Sequence, residues 1–79
     1  MKLVVKGPEK ILFDDTIYGF QAKALDGDLV CLDHHIDYMS VIQKGPLTLL
    51  DEHLKPVKTI DLDDNFILTL ESNQAVLFR

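Results

Sequence analysis

Short apolar stretches separated by turn residues are the feature that most limits what this chain can fold into. Runs such as KLVVK, KILF and FILTLE stop at Gly7-Pro8, Asp14-Asp15 and Ser72-Asn73. β-branched and aromatic residues between frequent turns favour strands, and no stretch carries the spacing of an amphipathic helix. The pattern predicts an all-β fold for residues 1–79: a single domain forming a small two-layer β-sandwich, or flattened barrel, of about eight to ten mostly antiparallel strands.

Details within the runs predict where individual strands lie. Phe66–Glu71 alternates between Phe, Leu, Leu and Ile, Thr, Glu, as a strand with one buried face does. Leu29–Leu32 has no polar break, which predicts that both of its faces are covered. Gly19 lies inside the longest run and predicts a bulge that bends the strand. Pro56 lacks an amide donor and predicts a strand start or an edge strand.

Size and charge exclude several classes of function. The chain has 79 residues and a formal net charge of −5, so its core is thin. Nucleic acid and anionic lipid need concentrated Lys and Arg, and here the eight basic residues are scattered. Cys31 is the only cysteine, which excludes an internal disulfide and fits a reducing compartment. No run has the length of a signal-peptide core or a membrane span, so we expect a soluble, cytoplasmic protein.

The stretch GDLVCLDHH raises the question of a metal site. Asp33, His34, His35 and Asp37 are of ligand type. Adjacent residues of an extended chain point to opposite sides, however, so His34 and His35 would converge only in a special turn. We therefore expect a polar turn after a buried strand and no metal; a small metalloenzyme that also uses His53 is a weaker alternative.

Catalytic constellations are equally sparse. Cys31 lies between Val30 and Leu32, where burial would raise its pKa and make it inert. The paired acids Asp14-Asp15 and Asp63-Asp64 lie in turns, where Asp is favoured for turn chemistry. The chain contains no G-x-S-x-G, P-loop or dinucleotide-binding glycine motif. We expect no enzyme activity and no cofactor.

Three stretches together resemble a known family. DGDLVCLDHHIDYMSVIQKG, GPEKILFDDTI and DNFILTLESNQAVLF are similar, in order and spacing, to the N-terminal β-sandwich domain of the epsilon subunit of F-type ATP synthases. The matching positions are Gly27, Asp28, Leu29, Cys31, Leu32, His35, Tyr38, Met39, Ser40, Ile42 and Gly45, with Pro8, Glu9, Phe13, Asp14 and Ile17 upstream and Phe66, Leu70, Asn73 and Leu77 downstream. Val30 and Asp33 replace a glycine and a proline of the family pattern, and the sequence stops at Arg79, where the family's C-terminal helical hairpin would begin.

The resemblance implies a non-catalytic rotor subunit of the central stalk. It implies binding to the gamma subunit and the c-ring, which couples proton or sodium transport to ATP synthesis. It places the protein at the cytoplasmic face of the membrane, within the complex. Asp28, His34 and His35 are the expected partner-binding residues, Asp28 towards the polar loops of the ring and His35 towards the ring or gamma. The alternative is a free-standing β-sandwich interaction module with an unrelated partner, since fold does not fix function.

Overall fold

The fold contains strands and no helix. The computed structural model describes residues 1–79, and none of its elements is a helix able to cross a membrane. The nine strands are β1 (Lys2–Lys6), β2 (Ile11–Thr16), β3 (Gly19–Ala24), β4 (Gly27–Leu32), β5 (Tyr38–Ile42), β6 (Gly45–Leu50), β7 (Pro56–Leu62), β8 (Phe66–Glu71) and β9 (Gln74–Phe78). The predicted all-β class and strand number are confirmed.

The strands form one hydrogen-bonded sheet that curls on itself. Its order is β2-β1-β9-β8-β5-β3-β6-β7, and β4 pairs with the other edge of β3. A single residue pair, Ala24 with Ile42, joins β3 to β5. The sheet therefore divides into a five-stranded layer (β2-β1-β9-β8-β5) and a four-stranded layer (β4-β3-β6-β7). All strand pairs are antiparallel except β1 with β9.

The core lies between the two layers. Its fully buried members include Leu3, Leu68 and Leu77 from the first layer and Phe20 and Leu47 from the second. In β1, β8 and β9 burial alternates residue by residue, as predicted for Phe66–Glu71. Only 18 of the 79 residues are buried, so the core is one layer of side chains thick and every strand keeps an outward face.

Gly19 serves close packing, and the predicted bulge is wrong. The pairing of β3 with β4 runs without a break from Gly19–Leu32 to Ala24–Gly27. A Cβ at position 19 would lie 2.7 Å from the backbone oxygen of Cys31 and 2.8 Å from a methyl carbon of Leu32. Glycine is needed here because the neighbouring strand passes directly over it. Pro56, in contrast, begins an edge strand as predicted.

The expectation that Leu29–Leu32 is covered on both faces is also wrong. Cys31 is fully buried, but Val30 keeps 44 % of its surface exposed and Leu29 is only half-buried. Val30 lies on the outward side of its layer, opposite exposed Gln21, and no further element packs on that side. An unbroken apolar run therefore does not by itself show that both faces of a strand are covered.

The glycine at position 19 gives a direct test of this packing. We expect Gly19→Ala to lower the free energy of unfolding by about 1–3 kcal/mol, because its methyl group would overlap backbone atoms that cannot move aside. Gly7→Ala is the matched control: a Cβ there meets its nearest atom at 3.5 Å, and the change should stay within about 0.5 kcal/mol. Urea unfolding of both variants measures the difference, and equal stabilities would contradict the close approach of β4.

Candidate protein-interaction surface

The outward side of the five-stranded layer carries an apolar patch. Two adjacent rows of outward positions cross β1, β5, β8 and β9: Met39, Thr69, Val76 and Val4 in one, and Val41, Ile67, Phe78 and Lys6 in the other. A third row, Lys2, Gln74 and Glu71, is polar. We call Val4, Met39, Val41, Ile67, Val76 and Phe78 the apolar face. Met39 is 71 % exposed, Ile67 41 % and Phe78 38 %. Met39 is thus largely exposed, and Ile67 and Phe78 keep more than a third of their surface exposed.

The outward side of the four-stranded layer is polar. Its outward residues on β3, β4, β6 and β7 are mostly amides, hydroxyls and charges, and we call Gln21, Lys23, Asp28, Thr48, Thr59 and Asp61 the polar face. Val30 and Val57 are the large exposed apolar side chains on these strands. A sheet that faces water on one side normally alternates apolar-in with polar-out, and this layer follows that rule.

The contrast between the two faces marks the apolar face as an interaction surface. Single exposed apolar residues are ordinary, whereas neighbouring ones on adjacent strands point to a partner. Charges border the patch: Lys2 lies 3.6 Å from Asp14 in an exposed ion pair, and Lys6 extends the second row. Exposed ion pairs add little stability, so these border charges are available to orient a partner.

Asp28 lies at the start of β4, beside the β3–β4 turn. It is exposed and stands opposite Lys23 in the strand register. The preceding Gly27 has φ 131°, a conformation open to glycine and disfavoured for other residues. The turn therefore fixes the position of Asp28 at this end of the sheet.

His34 and His35 lie together in the loop between β4 and β5. His34 adopts a left-handed φ of 62° and its amide donates to Oδ1 of Asn73 at 2.7 Å. The His35 ring packs edge-on against Tyr38, with ring centres 5.9 Å apart. The His34 side chain points into solvent, so the loop presents an imidazole while its backbone is held.

Hydrogen bonds tie this loop to the β8–β9 turn. The side-chain amide of Asn73 donates to Asp33 at 3.0 Å, and the amide of Ser72 donates to Asp37 at 3.2 Å. Ser72 and Asn73 both have positive φ, at 51° and 61°, which is the geometry of a tight two-residue hairpin. Asp33 and Asp37, which sequence analysis considered as metal ligands, therefore accept hydrogen bonds from the β8–β9 turn.

The three predicted site residues do not form one cluster. Asp28 and Leu32 are four positions apart in β4, about 13 Å at about 3.3 Å per residue. His34 and His35 follow in a turn beyond Leu32, where the His35 amide donates to the Leu32 carbonyl oxygen at 3.0 Å. Asp28 belongs to the end of the molecule with the β3–β4 turn, and His34 and His35 to the opposite end. One partner surface could touch both only by running along the whole of β4.

Met1 anchors the histidine loop. Its terminal ammonium group is buried, donates to the carbonyl oxygen of Ile17 at 2.8 Å and pairs with Asp33. This ammonium and the Asn73 side chain hold the pKa of Asp33 below its usual range. A carboxylate that is more acidic in the folded chain stabilises the fold wherever it is ionised.

Cys31, the histidines and the pocket beside Arg79 were compared with the nucleophile and metal-site hypotheses. Burial raises the pKa of the Cys31 thiol to about 11, so it carries almost no thiolate at neutral pH, as its position between Val30 and Leu32 predicted. His53 lies in the turn between β6 and β7, and no group of three His, Cys, Asp or Glu side chains is arranged to hold a metal ion. A pocket of about 380 Å³ beside Arg79 is lined by Glu9, Lys10 and Asp63 among others, and by no cysteine, serine or histidine.

Sequence analysis missed the apolar face. The available signal was the presence of apolar residues at both parities within one strand, as in Ala75–Phe78 and Leu3–Val5. In a strand with one buried face, the second set must lie outside. The order of the strands was also needed, because only their register brings Met39 and Val4 into one row.

Comparison with known proteins gives a likeness of fold. No protein-family model matches the sequence. The fold is similar to a chain in the cryo-EM structure of the Tetrahymena thermophila mitochondrial ATP synthase central stalk and c-ring, with a TM-score of 0.73 and 20% sequence identity. The likeness covers 99% of this chain and 61% of that one, so this chain spans about three fifths of the length of its structural neighbour.

The anchoring of Asp33 predicts a pH-dependent stability. We expect Asp33→Asn to lower stability at neutral pH, with the difference shrinking as pH falls below about 4, the usual pKa of an unfolded Asp. The sign follows because a lowered folded pKa contributes stability that is present above the unfolded pKa and lost as pH falls through the folded one. Asp61→Asn, on the polar face, is the control and should change little. Thermal unfolding across a pH series measures both, and a difference for Asp33→Asn that is independent of pH would refute the anchoring role.

Proposed function

We propose that this chain is a non-catalytic rotor domain of an ATP synthase central stalk, docking between a gamma-type subunit and a c-ring. The main support is the combination of a fold shared along 99% of the chain with a central stalk and c-ring protein and an apolar outer face that has no partner within the chain. The epsilon-like order of motifs in the sequence points the same way. The role is mechanical: the domain helps to couple proton or sodium flow through the ring to ATP synthesis.

The apolar face is the proposed contact with gamma. A stalk subunit must stay attached while torque passes through it, which requires an interface with a desolvated apolar centre and a polar rim. Met39, Ile67 and Phe78 supply such a centre, and Lys2, Asp14 and Lys6 supply the rim. The polar face is fitted to remain in water.

The proposed contact with the c-ring lies at the Asp28 end. Because Asp28 and the histidine loop lie at opposite ends of β4, a domain standing on the ring can present only one of them to it. Asp28, at the exposed turn, is the acid that the family resemblance directs to the ring. His34 and His35 are then left for a neighbouring stalk surface, and we assign them to the gamma side.

A paired sheet suits this role physically. Torque transmission needs a body that does not deform, and strands bonded into two packed layers resist bending. The net charge of −5 favours approach to partner loops rich in basic and amide groups, and such electrostatics set orientation and association rate more than affinity. The domain would lie at the cytoplasmic face of the membrane through the complex, without entering the bilayer.

A charge placed on the apolar face tests the gamma contact. We expect Met39→Glu to weaken binding to a cognate gamma subunit roughly tenfold or more, about 1.4 kcal/mol, because a carboxylate would be buried without a partner. Thr59→Glu places the same charge on the polar face and should bind as the unchanged chain does. Titration calorimetry measures affinity, and circular dichroism shows that both variants fold.

Two results of that titration would sink the proposal in different ways. Absence of binding by the folded, unchanged chain would favour the alternative of an interaction module with an unrelated partner. Equal loss of affinity for Met39→Glu and Thr59→Glu would keep gamma as partner but reject the apolar face as the contact.

A charge reversal at Asp28 tests the ring contact separately. We expect Asp28→Lys to preserve gamma binding and to reduce retention of the gamma-bound chain on a purified c-ring several-fold, because a rim charge governs association and orientation. Glu52→Lys changes the charge equally in the exposed turn between β6 and β7, at the opposite end of the sheet, and should be retained normally. Co-sedimentation with c-ring proteoliposomes measures retention; normal retention of Asp28→Lys would remove Asp28 from the contact.

A further inference from the structure

One edge of β5 is bonded to β3 only near Ile42, which leaves just the short segment Tyr38–Ser40 unpaired. Three further strands, β2, β4 and β7, each hydrogen-bond one neighbour only: β1, β3 and β6 respectively. Each therefore presents a row of backbone donors and acceptors to the outside. Such rows can pair with a strand of another chain, and proteins usually obstruct them with charges, prolines, bulges or short length.

Two of the three edges carry such obstructions. β2 holds the adjacent acids Asp14 and Asp15, and its pairing with β1 is irregular at Val5/Lys6. β7 begins at Pro56 and carries Lys58 and Asp61, and its pairing with β6 is irregular at Leu49/Leu50. A bulge, a proline and side-chain charge all oppose the addition of another strand.

β4 carries none of these except one acid near its start. Its six residues, Gly27–Leu32, pair with β3 without any irregularity and include no lysine or proline. Leu29, Val30 and Leu32 are all incompletely buried. The strand thus presents a flat backbone edge flanked by apolar side chains, which is the condition for edge-to-edge pairing.

We propose that β4 pairs antiparallel with β4 of a second copy of this chain, about a two-fold axis at Val30. This register sets Val30 against Val30, Leu29 against Cys31 and Asp28 against Leu32 of the second copy. It keeps Asp28, Val30 and Leu32 on the polar face and Leu29 and Cys31 on the core side, as the side-chain alternation requires. The four-stranded layers of the two copies then join into one eight-stranded layer.

The sequence of β4 favours a second copy as the occupant because the strand is self-complementary. Centred on Val30, no like charges face each other, and the two Asp28 residues lie about 14 Å apart along the strands. Of the other registers that preserve the faces, those centred on Asp28 and Leu29 would bring the two Asp28 residues to about 7 Å or less along the strands, within the Debye length of about 10 Å at 0.1 M salt. One centred on Cys31 would pair only residues 30–32 of β4. An isologous contact of this kind closes after two copies.

The contact belongs to the free chain and does not depend on the stalk role. It is small, below the roughly 1,200 Å² of a standard interface, so association depends on protein concentration. Two chains each of charge −5 repel, and salt screens that repulsion. The dimer therefore strengthens as salt concentration rises.

Sedimentation equilibrium with three lysine variants tests the pairing. For the unchanged chain, we expect the weight-average mass to rise towards twice the monomer mass with increasing protein and salt concentration. Val30→Lys obstructs the β4 edge and should remain monomeric. Thr59→Lys, on the β7 edge, and Met39→Lys, on the apolar face, add the same charge elsewhere and should dimerise as the unchanged chain does.

Hydrogen exchange on the unchanged chain gives a readout that needs no variant. Amides of β4 that do not bond β3 should become protected as protein concentration rises, while those on the edges of β2 and β7 stay unprotected. A chain that remains monomeric at every concentration and salt would overturn the proposal. So would dimerisation lost in Met39→Lys and retained in Val30→Lys, which would assign self-association to the apolar face.

Discussion

No strand of this chain buries both of its faces, and the rest of the structure depends on that constraint. With 18 of 79 residues buried, the core lies between the two layers of one curled sheet, and no further element covers either outer side. The outward residues therefore decide what the molecule can do. One outer side is polar and is well solvated by water. The other exposes Met39, Ile67 and Phe78 together, and contact between these apolar side chains and water is unfavourable.

The two ends of the sheet also differ from each other. At one end, Met1, Asp33 and Asn73 lock the histidine loop against the β8–β9 turn. At the other, the β3–β4 turn presents Asp28. A domain with one apolar face and two different polar ends is suited to bind larger subunits in a single orientation. The Cys31 thiol is buried, and no group of three His, Cys, Asp or Glu side chains is arranged to hold a metal ion.

Much of the fold follows from local sequence, and much of the candidate site does not. Turn spacing and the alternation of Phe66–Glu71 predict the strands, because both depend on neighbouring residues. Gly19 was misassigned because its reason is a strand close in space, and Leu29–Leu32 because an apolar run does not reveal whether a neighbour covers it. The apolar face escaped for the same reason: Met39 and Val4 meet only through strand order. Asp28 and His34 are predicted together as partner-binding residues, but their placement at opposite ends of β4 is visible only in the structure.

Accessibility of Met39 in the assembled stalk tests the central claim most directly. Hydroxyl-radical footprinting of the chain alone and bound to a cognate gamma subunit compares its oxidation rate with that of Met1, which is already buried within the fold. A large fall in the Met39 rate on assembly, with the Met1 rate unchanged and low, is the result that an adhesive outer face predicts. A Met39 rate that stays as high in the complex as in the free chain would show that the apolar face is not where this domain is held.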